Sequence, residues 1–200
     1  QVEQSRSNTS FFNTGLNKGL SKKEIAEIES FQLTMKATPR LPKVSKEHAV
    51  IVSTAALRGD IISGGFAQKV LLPKSRESFQ DIDILSVNPK DSAYTIKKNL
   101  EMYGNFGGKV TVSSGIRGKY HVYGYGKEGR VTLADIIPTN TYKKQEEFGA
   151  LPTRVVKGVT FLKEQVLFKR KQLTALHSER HRKKALEDLR RLSSYNVIVD

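Results

Sequence analysis

Two short apolar segments carry aspartates where a buried strand tolerates them badly, and this conflict constrains the chain more than any other feature. The first reads Phe79-Gln80-Asp81-Ile82-Asp83-Ile84-Leu85. The second reads Arg130-Val131-Thr132-Leu133-Ala134-Asp135-Ile136-Ile137. Side chains alternate across a strand, so Asp81 and Asp83 share one face, about 6.6 Å apart along it. Ile82 and Ile84, with Phe79 and Leu85, hold the rest of the segment in a core. Two carboxylates on one face repel, and a third in an apolar strand is costly to bury without a partner. One divalent cation held by Asp81, Asp83 and Asp135 would remove both costs. Oxygen-only ligands with open positions favour magnesium or manganese over zinc.

Upstream lies Asp60-Ile61-Ile62-Ser63-Gly64-Gly65-Phe66-Ala67-Gln68-Lys69-Val70-Leu71-Leu72. It reads as a short strand, a glycine turn and the start of a helix. Gly64 and Gly65 let the backbone approach a ligand and adopt positive φ. The helix beyond them offers free N–H groups and a positive dipole to a phosphate. Ser63 or Ser78 is placed to hydrogen-bond a phosphate oxygen. Lys69, Lys74 and Arg76 surround the turn and the loop after it, either gripping phosphates or simply exposed.

In this order the residues resemble the nucleotidyltransferase superfamily related to DNA polymerase beta. Its pattern is a hydrophobic residue, Gly-Gly or Gly-Ser, an Asp/Glu-x-Asp/Glu pair and a later single acid. Gly64-Gly65 matches the first element, Asp81 and Asp83 the second, and Asp135 the third. Gly-Gly-Phe-Ala, with Arg76 and Ser78 before Asp-Ile-Asp, is similar to small stand-alone members of the abortive-infection (AbiEii) toxin type. A second likeness lies near the C-terminus, where such members carry a helix with a lysine, a basic stretch and a helix like Lys-Asp-x-x-Asp-Leu. Here the lysine is Lys169 or Lys171, and Asp188 matches the first aspartate. Arg191 stands where the second acid is common. The resemblance runs from about residue 48 to 192.

Charge bears on partners. The 200 residues carry a net charge of +14, and from residue 151 onward twelve Lys/Arg face five acids. Such a surface favours phosphate-rich partners and salt-dependent binding, although a charge run alone is more often a solvated face. There is no cysteine, which excludes disulfides and thiolate metal sites. No run approaches the roughly 20 apolar residues of a membrane span, so an intracellular protein, cytoplasmic or nuclear, is expected. The chain begins at Gln, in keeping with a fragment or a processed form. His177 and His181 lie among Arg and Lys that would repel a cation, and His121 sits in a strand, packed or exposed.

Three divisions are expected: an N-terminal arm and helix over 1–46, a nucleotidyltransferase-like core over 47–150, and a basic helical part over 151–200. Ser21-Lys22-Lys23-Glu24 is a capping box for a helix to about Met35. Ser45 caps a second helix to about Leu57, and Asp91 a third to about Tyr103, ended by Gly104, Gly107 and Gly108. Strands at about 109–114, 119–125 and 130–137 form a meander. A polar loop follows to Gly149, then a short strand near 154–156. Helices over Phe161–Leu176 and Arg182–Leu192 and an apolar tail, Val197-Ile198-Val199, complete the chain.

The resemblance implies an α/β (α+β) fold, a mixed sheet flanked by helices with a helical C-terminal part, and a nucleoside triphosphate lying between the two. It implies that Gly64 and Gly65, with Ser63, Lys69 and Arg76, cradle phosphates. Asp81, Asp83 and Asp135 would hold two metals, with Asp135 helping to deprotonate the attacking hydroxyl. Lys171 or Lys169 would neutralise the leaving pyrophosphate, and Asp188 would orient that lysine or contact the nucleotide. The acceptor is a hydroxyl on RNA, a tRNA end by analogy, or on a protein or small molecule. The alternative is an idle fold serving as a nucleic-acid or protein binding module. A subunit of an antitoxin or a larger assembly is a third reading.

Overall fold

Ser21 opens the first helix as its sequence requires. In the computed structural model, which describes residues 19–76, 78–104, 109–146 and 151–193, helix α1 spans Lys22–Ser30. The Ser21 hydroxyl accepts from the Glu24 N–H, and Glu24 reaches back to the Ser21 N–H at 2.7 Å, closing both halves of the capping box. These bonds hold the Glu24 carboxyl below its usual pKa, the backbone one foremost. The helix stops five residues short of the expected Met35. Gln172 donates to the Ile28 and Phe31 carbonyls, and the Thr34 and Met35 N–H groups turn to the carbonyl of Leu192. Long-range partners replace the next helical turn, and local sequence does not report them.

Contacts divide the chain into two compact units, Gln1–Met35 with Phe168–Asp200, and Lys36–Leu167. The larger unit opens with α2 (Lys46–Arg58), capped by Ser45 and ended by Gly59 in the left-handed region. Then come β1 (Ile61–Ser63), α3 (Gly64–Leu71) and β2 (Ile82–Ser86). Next is α4 (Pro89–Tyr103), where Asn88 is the cap and accepts from the Asp91 N–H; Asp91 itself sits one turn in. With Pro89 preset for the first helical position, the asparagine before it takes the capping role expected of Asp91. The meander follows as β3 (Val110–Ser114), β4 (Tyr120–Gly126) and β5 (Gly129–Pro138).

Two stretches differ from the expected pattern. Thr139–Glu146 forms a helix, α5, where a polar loop was expected. Phe161 lies in a strand instead of opening a helix. β6 (Thr153–Val156) and β7 (Val159–Leu162) form a hairpin joined by Lys157 and Gly158, both at positive φ, which matches the twist of such turns. Helix α6 (Glu164–His177) then runs into the smaller unit, which also holds α1 and α7 (Arg182–Leu192). The expected arm up to residue 18, Gly107 and Gly108, the end of the polar loop at Gly149 and the tail at 197–199 lie outside the described residues.

The strands make one seven-stranded mixed sheet in the order β3-β4-β5-β2-β1-β7-β6. β1 runs antiparallel to β2, while β2–β5 and β1–β7 are parallel. One face carries Ile62, Ile82, Ile84, Ala134, Ile136, Val122 and Phe161, all fully buried. Helices α2 and α4 pack against each other and against these strands, burying Ile51, Ala55, Ala93, Ile96 and Leu100. Beneath them Asp60, 5% exposed, accepts from Ser92 Oγ at 2.8 Å and Arg58 Nε at 3.3 Å, and Arg58 also reaches Asp91 at 2.7 Å. No helix among the described residues is long and apolar enough to cross a membrane.

Candidate metal and phosphate site

Residues directly opposite each other in neighbouring strands share a face. Ser63 pairs with Asp83, Asp83 with Asp135, Asp135 with His121, and His121 with Ser113. A polar row therefore crosses five strands on the face opposite the isoleucines. Asp81 sits in the bend just before β2, a residue short of the strand expected to begin earlier. One carboxylate oxygen from each of Asp81, Asp83 and Asp135 lies within 4.8 Å of the others, and all three residues are half-buried. The structure thus brings Asp135 beside Asp81 and Asp83, about 50 residues earlier in the sequence. Their donor set, three carboxylates partly open to solvent, fits a hard divalent cation, and their repulsion gives one a reason to bind.

The glycine turn is built around this cluster. Gly64 has φ of 65°, and a Cβ there would lie 2.6 Å from Asp83 Cγ. Glycine is needed twice over, for the left-handed backbone and for the room that the carboxylate occupies. Gly65 faces Arg76: a Cβ there would lie 2.9 Å from its guanidinium carbon. Helix α3 has no side-chain cap and no acid in its first turn. The N–H groups of such a first turn can meet an outside acceptor. Ser63 Oγ, fully buried at the head of this helix, has no hydrogen-bond partner. An orphaned buried hydroxyl, uncapped N–H groups and a nearby guanidinium are what an anion carried by the cation would meet.

The other expected residues have contacts of their own. Lys69 Nζ donates to the carbonyls of Arg76 at 2.8 Å and Pro73 at 3.2 Å, and so ties down the loop after α3. Arg76 Nε donates to the Ser78 carbonyl at 2.7 Å, engaging the backbone of Ser78. Lys74 is exposed. In the smaller unit Lys171 Nζ lies 2.6 Å from Asp188 Oδ2, and Asp188 is buried. Lys169 is exposed, two residues before Lys171 on α6. His177 titrates below the usual histidine range, through burial first and the Arg182 charge second.

Two histidines join the site without having been singled out for it. His121 Nδ1 lies 2.6 Å from Asp135 Oδ1. His48, on α2, meets the Gln80 carbonyl at 2.9 Å and packs against Phe79, whose ring also meets Phe66 edge-on. It steadies the backbone immediately before Asp81. The signal for His121 was its place in the strand beside β5; His48 carried none.

The seven-stranded mixed sheet with its flanking helices is a nucleotidyltransferase-like fold. The Megavirus polyadenylate synthase structure superposes with a TM-score of 0.56 over 73% of this chain at 16% identity. This chain spans 30% of that protein's length. An antigenic nucleotidyltransferase-like protein from Paracoccidioides brasiliensis matches at TM-score 0.44 and 13% identity over 78% of each chain, too loosely to carry weight. No protein-family description and no curated protein matches the sequence.

Proposed function

We propose that the protein is a metal-dependent nucleotidyltransferase that moves a nucleoside monophosphate from a nucleoside triphosphate to a hydroxyl of RNA. The observation that carries this reading is the convergence of Asp81, Asp83 and Asp135 within 4.8 Å, beside a glycine that leaves room for Asp83. Asp81 and Asp83 would hold the magnesium or manganese that carries the triphosphate, and Asp135 would share a second ion with them. Bound there, such ions lower the pKa of a hydroxyl and offset charge on phosphate oxygens. The α3 N-terminus, Ser63 Oγ and Arg76 would orient the phosphates. Asp135 would accept the proton as the acceptor oxygen bonds the α-phosphorus and the bond to the β-phosphate oxygen breaks, releasing pyrophosphate. For Lys171, held by Asp188, and for Lys169 the resemblance alone supports a leaving-group role. Of the expected cradle, Lys69 would serve indirectly, by holding the Arg76 loop.

RNA is favoured as acceptor by α7. Lys183, Lys184, Arg190 and Arg191 are exposed on the side away from buried Ala185, Leu189 and Leu192. Ordered positive charge of this kind suits a phosphate backbone. The paired Lys171 and Asp188 also support the toxin-type subgroup. The same basic face favours the second reading, an idle fold that only binds nucleic acid.

The test incubates the protein with each α-labelled triphosphate, magnesium or manganese and total RNA, beside an Asp81→Ala/Asp83→Ala control. Label moved to RNA and lost in the control supports the transferase. RNA binding that is steeply salt-dependent, with no transfer and no triphosphate binding by calorimetry, moves the assignment to the binding module.

A further inference from the structure

The polar row across the sheet contains a residue that the proposed chemistry does not use. We propose that His121 is a positioning residue for Asp135: its Nδ1–H fixes one carboxylate oxygen and so turns the other toward the cation. The inference rests on reading the three aspartates as a metal site.

Asp135 Oδ1 can only accept when ionised, so the hydrogen in the 2.6 Å contact sits on His121 Nδ1. The ring is held from other directions as well. A Cβ on Gly115 would lie 2.6 Å from His121 Nε2, so the bare glycine makes the room the ring occupies. The Tyr123 ring stacks on it with centroids 5.9 Å apart and planes 23° apart. The Arg130 guanidinium in turn sits 4.4 Å from the Tyr123 centroid. A histidine that was merely a surface strand residue would not need a glycine cleared for it and a stacked partner. The arrangement suits a group whose direction matters. Hydrogen bonds that orient metal ligands are worth about 10- to 100-fold in metal affinity.

The experiment measures Mn2+ affinity of the full chain by electron paramagnetic resonance at about pH 8, without nucleotide, with melting curves to confirm folding. His121→Ala should bind Mn2+ about 10-fold or more weakly. His121→Asn, which can present an N–H near the Nδ1 position, should recover most of that loss, and His121→Gln should not. Gly115→Ala provides an independent variant, because it crowds the ring at Nε2 and leaves the atoms of the Nδ1–Asp135 contact unchanged. It should weaken Mn2+ binding in the wild-type background and have little effect once His121 is alanine. Wild-type affinity in His121→Ala, with binding still abolished in Asp81→Ala/Asp83→Ala, overturns the role of His121 and leaves the metal site standing. Equal weakness in His121→Asn and His121→Ala also overturns it. No Mn2+ binding by the wild type overturns both readings.

Discussion

Replacing Gly64 by alanine separates the two reasons for a glycine at that position. The backbone there has φ of 65°, which costs an L-residue about 1–2 kcal/mol. Gly59 supplies the control: its φ is 69°, yet a Cβ there would meet nothing within 4 Å. Gly59→Ala should therefore show the backbone cost alone. At position 64 the new methyl would lie 2.6 Å from Asp83 Cγ, against an ordinary contact of 3.4 Å or more. The carboxylate must retreat by at least 0.8 Å, or the turn must open by as much. Misplacement of about 1 Å can cost on the order of 100-fold in rate. Urea unfolding should show Gly59→Ala destabilised by about 1–2 kcal/mol and Gly64→Ala by more. Label transfer to RNA and Mn2+ affinity should be unchanged in Gly59→Ala. Transfer should fall about 100-fold in Gly64→Ala. Transfer by Gly64→Ala within a few-fold of the Gly59 variant would refute the link between this glycine and Asp83.

Arg58→Ala removes a partner of nearly buried Asp60 and should cost about 2 kcal/mol in urea unfolding, with Mn2+ affinity unchanged. Lys171→Ala removes one partner of the buried Asp188 carboxylate and should cost about 2 kcal/mol. Lys171→Met with Asp188→Leu should recover that stability while label transfer stays lost; recovered transfer would remove Lys171 from the chemistry. His177 is held below 6.5 when folded, by burial first and Arg182 second, so the unfolded chain binds the extra proton. Its contribution to stability is present above about pH 6.5 and lost as pH falls through the folded value. Melting temperatures followed from about pH 7.5 down to 5.5 should decline less in His177→Gln than in the wild type, and parallel curves would contradict this.

The aspartates were legible because their chemistry conflicts with their surroundings: a carboxylate between isoleucines requires an explanation within its own segment. The capping box at Ser21 and the separate strands of the meander were legible for a similar reason, since each is encoded within about ten residues. The partnership of His121 with Asp135 was not. Counted outward from the turn, Tyr125 faces Arg130 and Tyr123 faces Thr132, and the same count would set His121 against Ala134. A bulge between Val122 and Tyr123 moves the pairing by one residue, so that His121 meets Asp135 instead. Nothing in the local residues announces that extra step. The early stop of α1 and the parallel docking of β7 on β1 depend likewise on partners more than 90 residues away. Local propensity carries no record of them.

Ser113, His121, Asp135, Asp83 and Ser63 occupy a single line across five strands, each strand contributing one member. A slip of one residue in any of these strands would send its member to the isoleucine side and leave a gap. The ion site is therefore a readout of pairing accuracy during folding. A misaligned chain could keep its helices and much of its buried surface, and pass for native by its far-ultraviolet spectrum, while holding no cation. In a refolded preparation the stoichiometry of bound Mn2+, compared with total protein, would count the molecules whose strands had zipped in the correct alignment.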